Sequence, residues 1–102
     1  MKIEILWIRD CPNYKQFAEI TREIARAQNI AAEIDLIEVR DHADARAQKF
    51  LGSPTIRING VDPFALESQN NFAWQCRLYL TPQCLRGMPT KEMLEKVLRQ
   101  AA

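Results

Sequence analysis

An apolar strand gives way to a helix in the sequence Trp7-Ile8-Arg9-Asp10-Cys11-Pro12-Asn13-Tyr14. Proline suits the first position of a helix, because the amide hydrogen that it lacks would have no partner there. Pro12 therefore predicts a helix that begins at residue 12, with Cys11 as its N-cap. A thiol in that place faces unpaired backbone N–H groups and the positive end of the helix dipole, which both favour the thiolate. The junction predicts a reactive Cys11, and the competing interpretation is an inert buried cysteine.

The segments on either side of the junction predict a βαβ unit. Residues 2–8 are apolar at nearly every position, which is typical of a central strand covered on both faces. Residues 13–29 place apolar and small side chains at three- and four-residue steps, which predicts an amphipathic helix. Residues 32–40 alternate apolar and acidic side chains, as a half-buried strand does. A helix of this length between two strands indicates that the strands are parallel.

The second half of the chain has a different pattern. Asp41 can cap a second helix, with Asp44 adding a favourable charge and Gly52 ending it. Residues 55–58 then form a strand that enters a tight turn at Asn59-Gly60, which predicts an antiparallel hairpin.

The C-terminal part combines an irregular segment with a final helix. Residues 65–88 fit no clear period. Thr90 can cap a last helix, in which an apolar stripe runs among charged residues: Met93, Leu94, Val97 and Leu98. The predicted architecture is a single α/β domain over residues 1–102, in the order β-α-β-α-β-β-α, with an insertion at 65–88 before the last helix.

Composition excludes several classes of function. Apolar residues make up 47% and charged residues 26% of the chain, which is the balance of a soluble globular protein. The net charge of +1 gives no reason to expect nucleic acid or an anionic membrane as a partner. The chain shows no signal sequence and has an odd number of cysteines, three, so we expect reduced thiols and a cytoplasmic location.

Two segments together resemble the thioredoxin-like family, which includes the glutaredoxins. In that family the active cysteine lies at the start of the first helix, and a cis-proline followed by threonine faces it from the start of the third strand. Cys11-Pro12 and Ser53-Pro54-Thr55 stand in these two places. The resemblance implies a four-stranded mixed sheet and a cis bond at Pro54, although most prolines are trans. It also implies that Pro12, Ser53, Pro54 and Thr55 bind the substrate, with the Ser53 backbone free to pair with an extended peptide or glutathione.

A narrower resemblance is to a group of small bacterial thioredoxin-like proteins. These share a strand that ends in Cys-Pro-Asn, a Phe-Leu-Gly-Ser-Pro-Thr segment and a later Cys-Arg-Leu-Tyr, found here at residues 11–13, 50–55 and 76–79. Some members of the group carry an alkylmercury-lyase label.

The departure from the family is Tyr14, which stands where a dithiol thioredoxin has its second cysteine. The dithiol enzymes resolve their mixed disulfide with that second thiol. This chain therefore either works as a monothiol, with glutathione as co-substrate, or resolves with Cys76 or Cys84. We prefer Cys76, because it belongs to the shared Cys-Arg-Leu-Tyr segment.

The resulting prediction is a thiol–disulfide oxidoreductase. Cys11 attacks the disulfide of a protein or small molecule, Ser53 and Pro54 hold the incoming chain, and Cys76 resolves the mixed disulfide. No resident cofactor is expected, and the cysteine spacing does not suit structural zinc. Two alternatives stay open: a soft-metal or organomercurial protein that uses Cys11 and Cys76 as ligands, and a redox-inactive interaction module.

Overall fold

The elements of the chain follow from a computed structural model that describes residues 1–66 and 68–102. Residue 67, inside the predicted insertion at 65–88, lies outside the described part. The elements are β1 (Lys2–Trp7), α1 (Tyr14–Ala27), β2 (Glu33–Glu38), α2 (His42–Ala47), β3 (Thr55–Ile58), β4 (Tyr79–Leu80), β5 (Leu85–Arg86) and α3 (Lys91–Ala101). The predicted α/β class is confirmed, and the irregular insertion contains the short strands β4 and β5.

A mixed sheet in the order β2-β1-β3 forms the centre of the molecule. β1 pairs in parallel with β2, so that Ile3 lies opposite Ile34, and antiparallel with β3, so that Ile5 lies opposite Ile56. The predicted central strand, the parallel βαβ unit and the antiparallel second half are therefore confirmed.

The prediction of a four-stranded sheet is wrong. In the described residues this sheet has three strands, and β4 and β5 form a separate antiparallel pair. The chain does turn at Asn59 and Gly60, which both have positive φ, but the returning strand is reduced to one bridge between Ile58 and Val61. Pro63 has no amide hydrogen for a ladder, and the Asp62 carboxylate accepts a hydrogen bond from the Phe64 amide at 2.9 Å. The chain therefore bends away after Val61.

The first helix begins two residues later than Pro12 predicts. Asn13 is its N-cap, without a side-chain cap bond, and Tyr14 is its first residue. The chain first makes a turn, in which the Cys11 amide donates to the Ile8 carbonyl at 3.1 Å. The prediction that Cys11 is the N-cap is therefore wrong, and the thiol lies in the turn between β1 and α1.

Side-chain caps begin the other two helices, as the sequence predicts. The Asp41 carboxylate accepts from the Asp44 amide at 2.8 Å, and the Thr90 hydroxyl accepts from the Met93 amide at 3.2 Å. However, α2 ends at Ala47 rather than before Gly52. Lys49, with φ of +52°, terminates it.

Two clusters of buried side chains form the core. The first packs α1 and α3 against β1 and β3, around Phe17, Ile56 and Leu98. The second lies at the end of β1 and contains Cys11; its other buried members are Leu6, Ile8, Val39, Ala45 and Phe50. Among residues 1–66 and 68–102, no helix combines the length and the apolar character that a membrane crossing requires.

Gly52 is required by a close approach of two chain segments rather than by the end of a helix. Its φ is +129°, and a Cβ placed on it would lie 2.7 Å from the Arg77 Cβ and 2.9 Å from the Arg77 amide nitrogen. Side-chain atoms do not approach backbone this closely, so a larger residue would push the two segments apart.

We expect Gly52→Ala to destabilise the protein more than Gly60→Ala does. Gly60 also has a positive φ, +85°, but no atom lies within 4 Å of its added Cβ. Gly60→Ala should therefore cost only the backbone strain, about 1 kcal/mol, whereas Gly52→Ala should add an overpacking cost of roughly 1–3 kcal/mol. Urea unfolding of both variants measures the difference. Equal losses would show that residues 52 and 77 do not pack closely.

Candidate functional site

Cys11 is buried beneath the surface at the end of β1. Its side chain is 2% exposed, within the second core cluster. The thiol donates to the Ser53 carbonyl, with 3.6 Å between sulfur and oxygen, and the Ile8 amide donates to the Ser53 hydroxyl at 3.2 Å. Ser53 therefore joins the turn that carries Cys11 to the segment that leads into β3.

The Ser53–Pro54 peptide bond is cis, as the sequence resemblance implies. The backbone of Ser53 is not free, however. Its amide donates to the Gln75 carbonyl at 2.9 Å, and its carbonyl accepts from the Arg77 amide at 3.0 Å. These two bonds form a parallel bridge between Ser53 and Cys76. The place expected for an incoming peptide is therefore occupied by residues of the chain itself, which we call the cover segment (residues 75–79).

The cover segment alternates between inward and outward side chains. Arg77 and Tyr79 are buried, whereas Cys76 is exposed and Leu78 is 64% exposed. The Tyr79 hydroxyl donates to the Pro54 carbonyl. Burial raises the pKa of Tyr79, which keeps this hydroxyl protonated as a donor. The inward side chains thus hold the segment against residues 52–55 through their contacts. The Cys76 thiol lies on the outer side.

Arg77 forms several polar contacts that hold the cover segment in place. Its guanidinium lies 2.6 Å from the Asp62 carboxylate and 3.4 Å from the Thr55 hydroxyl. It also lies over the Tyr79 ring, 4.5 Å from the ring centroid. Arg77 is 4% exposed and Asp62 12%, so this ion pair is largely shielded from water. Thr55, predicted to bind substrate, is itself buried and donates to the Gly52 carbonyl.

We expect Asp62→Asn to destabilise the fold by roughly 3 kcal/mol, because it leaves a buried guanidinium without its counter-charge. Asp35→Asn is the matched control, since Asp35 is exposed on β2 and should change the stability by less than about 0.5 kcal/mol. Urea unfolding followed by tryptophan fluorescence measures both. A loss for Asp62→Asn no larger than that for Asp35→Asn would contradict a structural role for the ion pair.

The structure brings Cys76 to Cys11. Ser53 forms the backbone bridge to Cys76, and its carbonyl accepts the hydrogen bond of the Cys11 thiol. The pKa of Cys76 is raised, first by partial burial and then by electrostatics and hydrogen bonding from Cys11; Asp10 adds to the effect. Cys84 is also an exposed thiol, but it lies in the turn between β4 and β5, where its amide donates to the Thr81 hydroxyl at 3.3 Å.

Alkylation of Cys76 by iodoacetamide should be shifted to high pH, because only the thiolate reacts. Cys11→Ser removes the electrostatic effect of the Cys11 sulfur, so the pKa of Cys76 should fall and its alkylation should become faster at pH 8. Mass spectrometry of tryptic peptides 58–77 and 78–86 follows Cys76 and Cys84 separately. Cys84 serves as the internal reference. An unchanged pH profile of Cys76 alkylation in Cys11→Ser would mean that the two thiols do not interact.

Aromatic side chains pack near both ends of the turn between β1 and α1 and against the second core cluster. Trp74 packs against the cluster that contains Cys11, and its indole N–H donates to the Val39 carbonyl at 3.0 Å. Its backbone amide donates to His42 Nδ1 at 3.2 Å. Tyr14 stacks on Trp7, with 4.2 Å between the ring centroids.

The sequence gave no signal for the contacts of Asp62 and Arg77. His42 is exposed, although its Nδ1 accepts the hydrogen bond of the Trp74 amide. Pro12 is exposed. Of the predicted site residues, the structure brings together Cys11, Ser53, Pro54, Thr55 and Cys76.

Comparisons with known proteins found no matching family model, curated protein or solved structure. The described part of the chain holds no group of three or more His, Cys, Asp and Glu side chains arranged to bind a metal ion.

Proposed function

We propose that the chain is a thioredoxin-like thiol–disulfide oxidoreductase whose reacting pair is Cys11 and Cys76. The observation that supports this most strongly is the backbone bridge between Ser53 and Cys76, since the Ser53 carbonyl also accepts the hydrogen bond of the Cys11 thiol. One residue thus holds both cysteines. Cys76 then supplies the second thiol that the first helix lacks, because Tyr14 stands at that position.

The proposed cycle moves two electrons. In the dithiol form, Cys11 and Cys76 together reduce a disulfide R–S–S–R′ of a protein or small molecule. The products are the thiols RSH and R′SH and a disulfide between Cys11 and Cys76. Two molecules of a small thiol such as glutathione return the pair to the dithiol form and leave as glutathione disulfide. The chain needs no resident cofactor for this chemistry.

The surroundings of the pair support exchange between these two residues rather than with Cys84. The inward contacts of Arg77 and Tyr79 fix the backbone of the cover segment on residues 52–55, so Cys76 is held next to Cys11 before any reaction. Such positioning raises the effective concentration of one thiol at the other.

Mild oxidation with glutathione disulfide should link Cys11 to Cys76. In a non-reducing tryptic digest, the linkage appears as peptide 10–15 joined to peptide 58–77, whereas Cys84 falls in peptide 78–86. Purified protein should also catalyse the reduction of hydroxyethyl disulfide by glutathione. Because both thiols take part, Cys11→Ser and Cys76→Ser should each lower this activity by at least about tenfold.

Cys84→Ser is the matched control and should keep both the linkage and the activity. If oxidation of wild-type protein yields only mixed disulfides and no Cys11–Cys76 linkage, the dithiol cycle is wrong. If catalysis is also absent, the redox-inactive interaction module becomes the better hypothesis.

A further inference from the structure

We infer that Cys76 is the thiol that attacks the substrate disulfide and that Cys11 resolves the mixed disulfide. This inference rests on the proposed function and reverses the order of attack that the sequence resemblance implies.

The two thiols differ in access. Cys11 is 2% exposed, among the apolar side chains of the second core cluster, whereas Cys76 is exposed. Thiol–disulfide exchange needs a nearly linear approach of three sulfur atoms, so the attacking thiol must be open to its partner. A substrate can therefore reach Cys76 in the observed conformation, while reaching Cys11 requires the cover segment to leave.

Departure of the cover segment would break several contacts at once. It would remove the two backbone bonds to Ser53 and the Tyr79 bond to the Pro54 carbonyl. It would also separate Arg77 from Asp62 and leave a buried charge unpaired. These bonds involve the backbone and the inward side chains, so attack by the outward Cys76 thiol disturbs none of them.

An open groove of about 340 Å³ offers a path to Cys76. Its lining is mostly polar and uncharged, and it includes Ser68, Asn70, Asn71 and Gln75 next to Cys76. Side-chain amides both donate and accept hydrogen bonds, as peptide groups do. A peptide disulfide such as glutathione disulfide therefore has polar partners beside Cys76.

The proposed exchange has two steps. The Cys76 thiolate attacks one sulfur of R–S–S–R′; a bond forms between Cys76 and the R sulfur, and R′S⁻ leaves and takes a proton. The Cys11 thiol then loses its proton and attacks the Cys76 sulfur. The Cys11–Cys76 bond forms, RS⁻ leaves and is protonated, and the cysteine pair has given two electrons to the substrate.

Two measurements in the Cys84→Ser background test the order. First, limiting iodoacetamide is added to the reduced protein that retains both Cys11 and Cys76. Because access differs, the adduct on Cys76 should exceed that on Cys11 by about tenfold or more. Both thiols are present in the same molecule, so the effect of Cys11 on the acidity of Cys76 is retained.

Second, glutathione disulfide is added to variants that also carry Cys11→Ser or Cys76→Ser. Glutathione should be trapped on Cys76 of the first variant at least about ten times faster than on Cys11 of the second. The serine at position 76 leaves the backbone of the cover segment in place, and circular dichroism checks that both variants fold. Adding Asp62→Asn to the Cys76→Ser variant should speed trapping on Cys11, because the cover segment is then held less tightly.

The inference is overturned if Cys11 is alkylated or trapped as fast as Cys76, or if neither single-thiol variant traps glutathione. This outcome is distinct from failure of the proposed function. A Cys11–Cys76 linkage in the Cys84→Ser protein, together with faster reaction at Cys11, would keep the oxidoreductase and reverse the order of attack. Absence of the linkage would reject the dithiol cycle, and absence of catalysis as well would reject the oxidoreductase.

Discussion

The two backbone hydrogen bonds between Ser53 and the cover segment hold the site together. Each contributes only about 1 kcal/mol of net stability, but a buried N–H or carbonyl left without a partner costs more than that. The Ser53 hydroxyl also accepts a hydrogen bond from the Ile8 amide, and the Ser53 carbonyl accepts one from the Cys11 thiol. The end of β1, the entry to β3 and the cover segment therefore depend on Ser53. None of them can move without leaving polar groups of the others unpaired.

The buried ion pair between Arg77 and Asp62 mainly fixes the register of the cover segment. Buried ion pairs add little net stability, since desolvation offsets most of their attraction. A shift of the cover segment by one residue would, however, turn Arg77 to the surface and place Cys76 inside. Asp62, Thr55 and the Tyr79 ring each favour the observed register. Their effect is to keep the Cys76 thiol on the outer side, exposed to solvent.

Local signals in the sequence predicted the parts of the fold that local physics determines. Strand β1, the caps at Asp41 and Thr90 and the turn at Asn59-Gly60 depend on neighbouring residues, and all are present. The cover segment could not be predicted in this way, because its partners between Ser53 and Asp62 lie 15 to 25 residues away in the chain. The hydrophobic pattern in and after the segment gives no guide to burial, since Leu78 and Leu80 are exposed while Arg77 is buried. The sequence therefore suggested Cys11 and Cys76 but not the contacts that join them.

The exposure of Cys76 favours its reaction, whereas its raised pKa disfavours it. Its raised pKa reduces the fraction of thiolate at neutral pH, which slows attack on a disulfide. A more basic thiolate is also a better nucleophile, so each tenfold loss of thiolate is offset by a gain of roughly threefold in reactivity. The rate of attack therefore falls by only roughly threefold for each tenfold loss of thiolate. Because Cys11 is buried, an ion pair and three hydrogen bonds of the cover segment must break before Cys11 can attack a substrate. This requirement is the larger barrier. In the proposed order of attack, access rather than acidity decides which thiol meets the substrate.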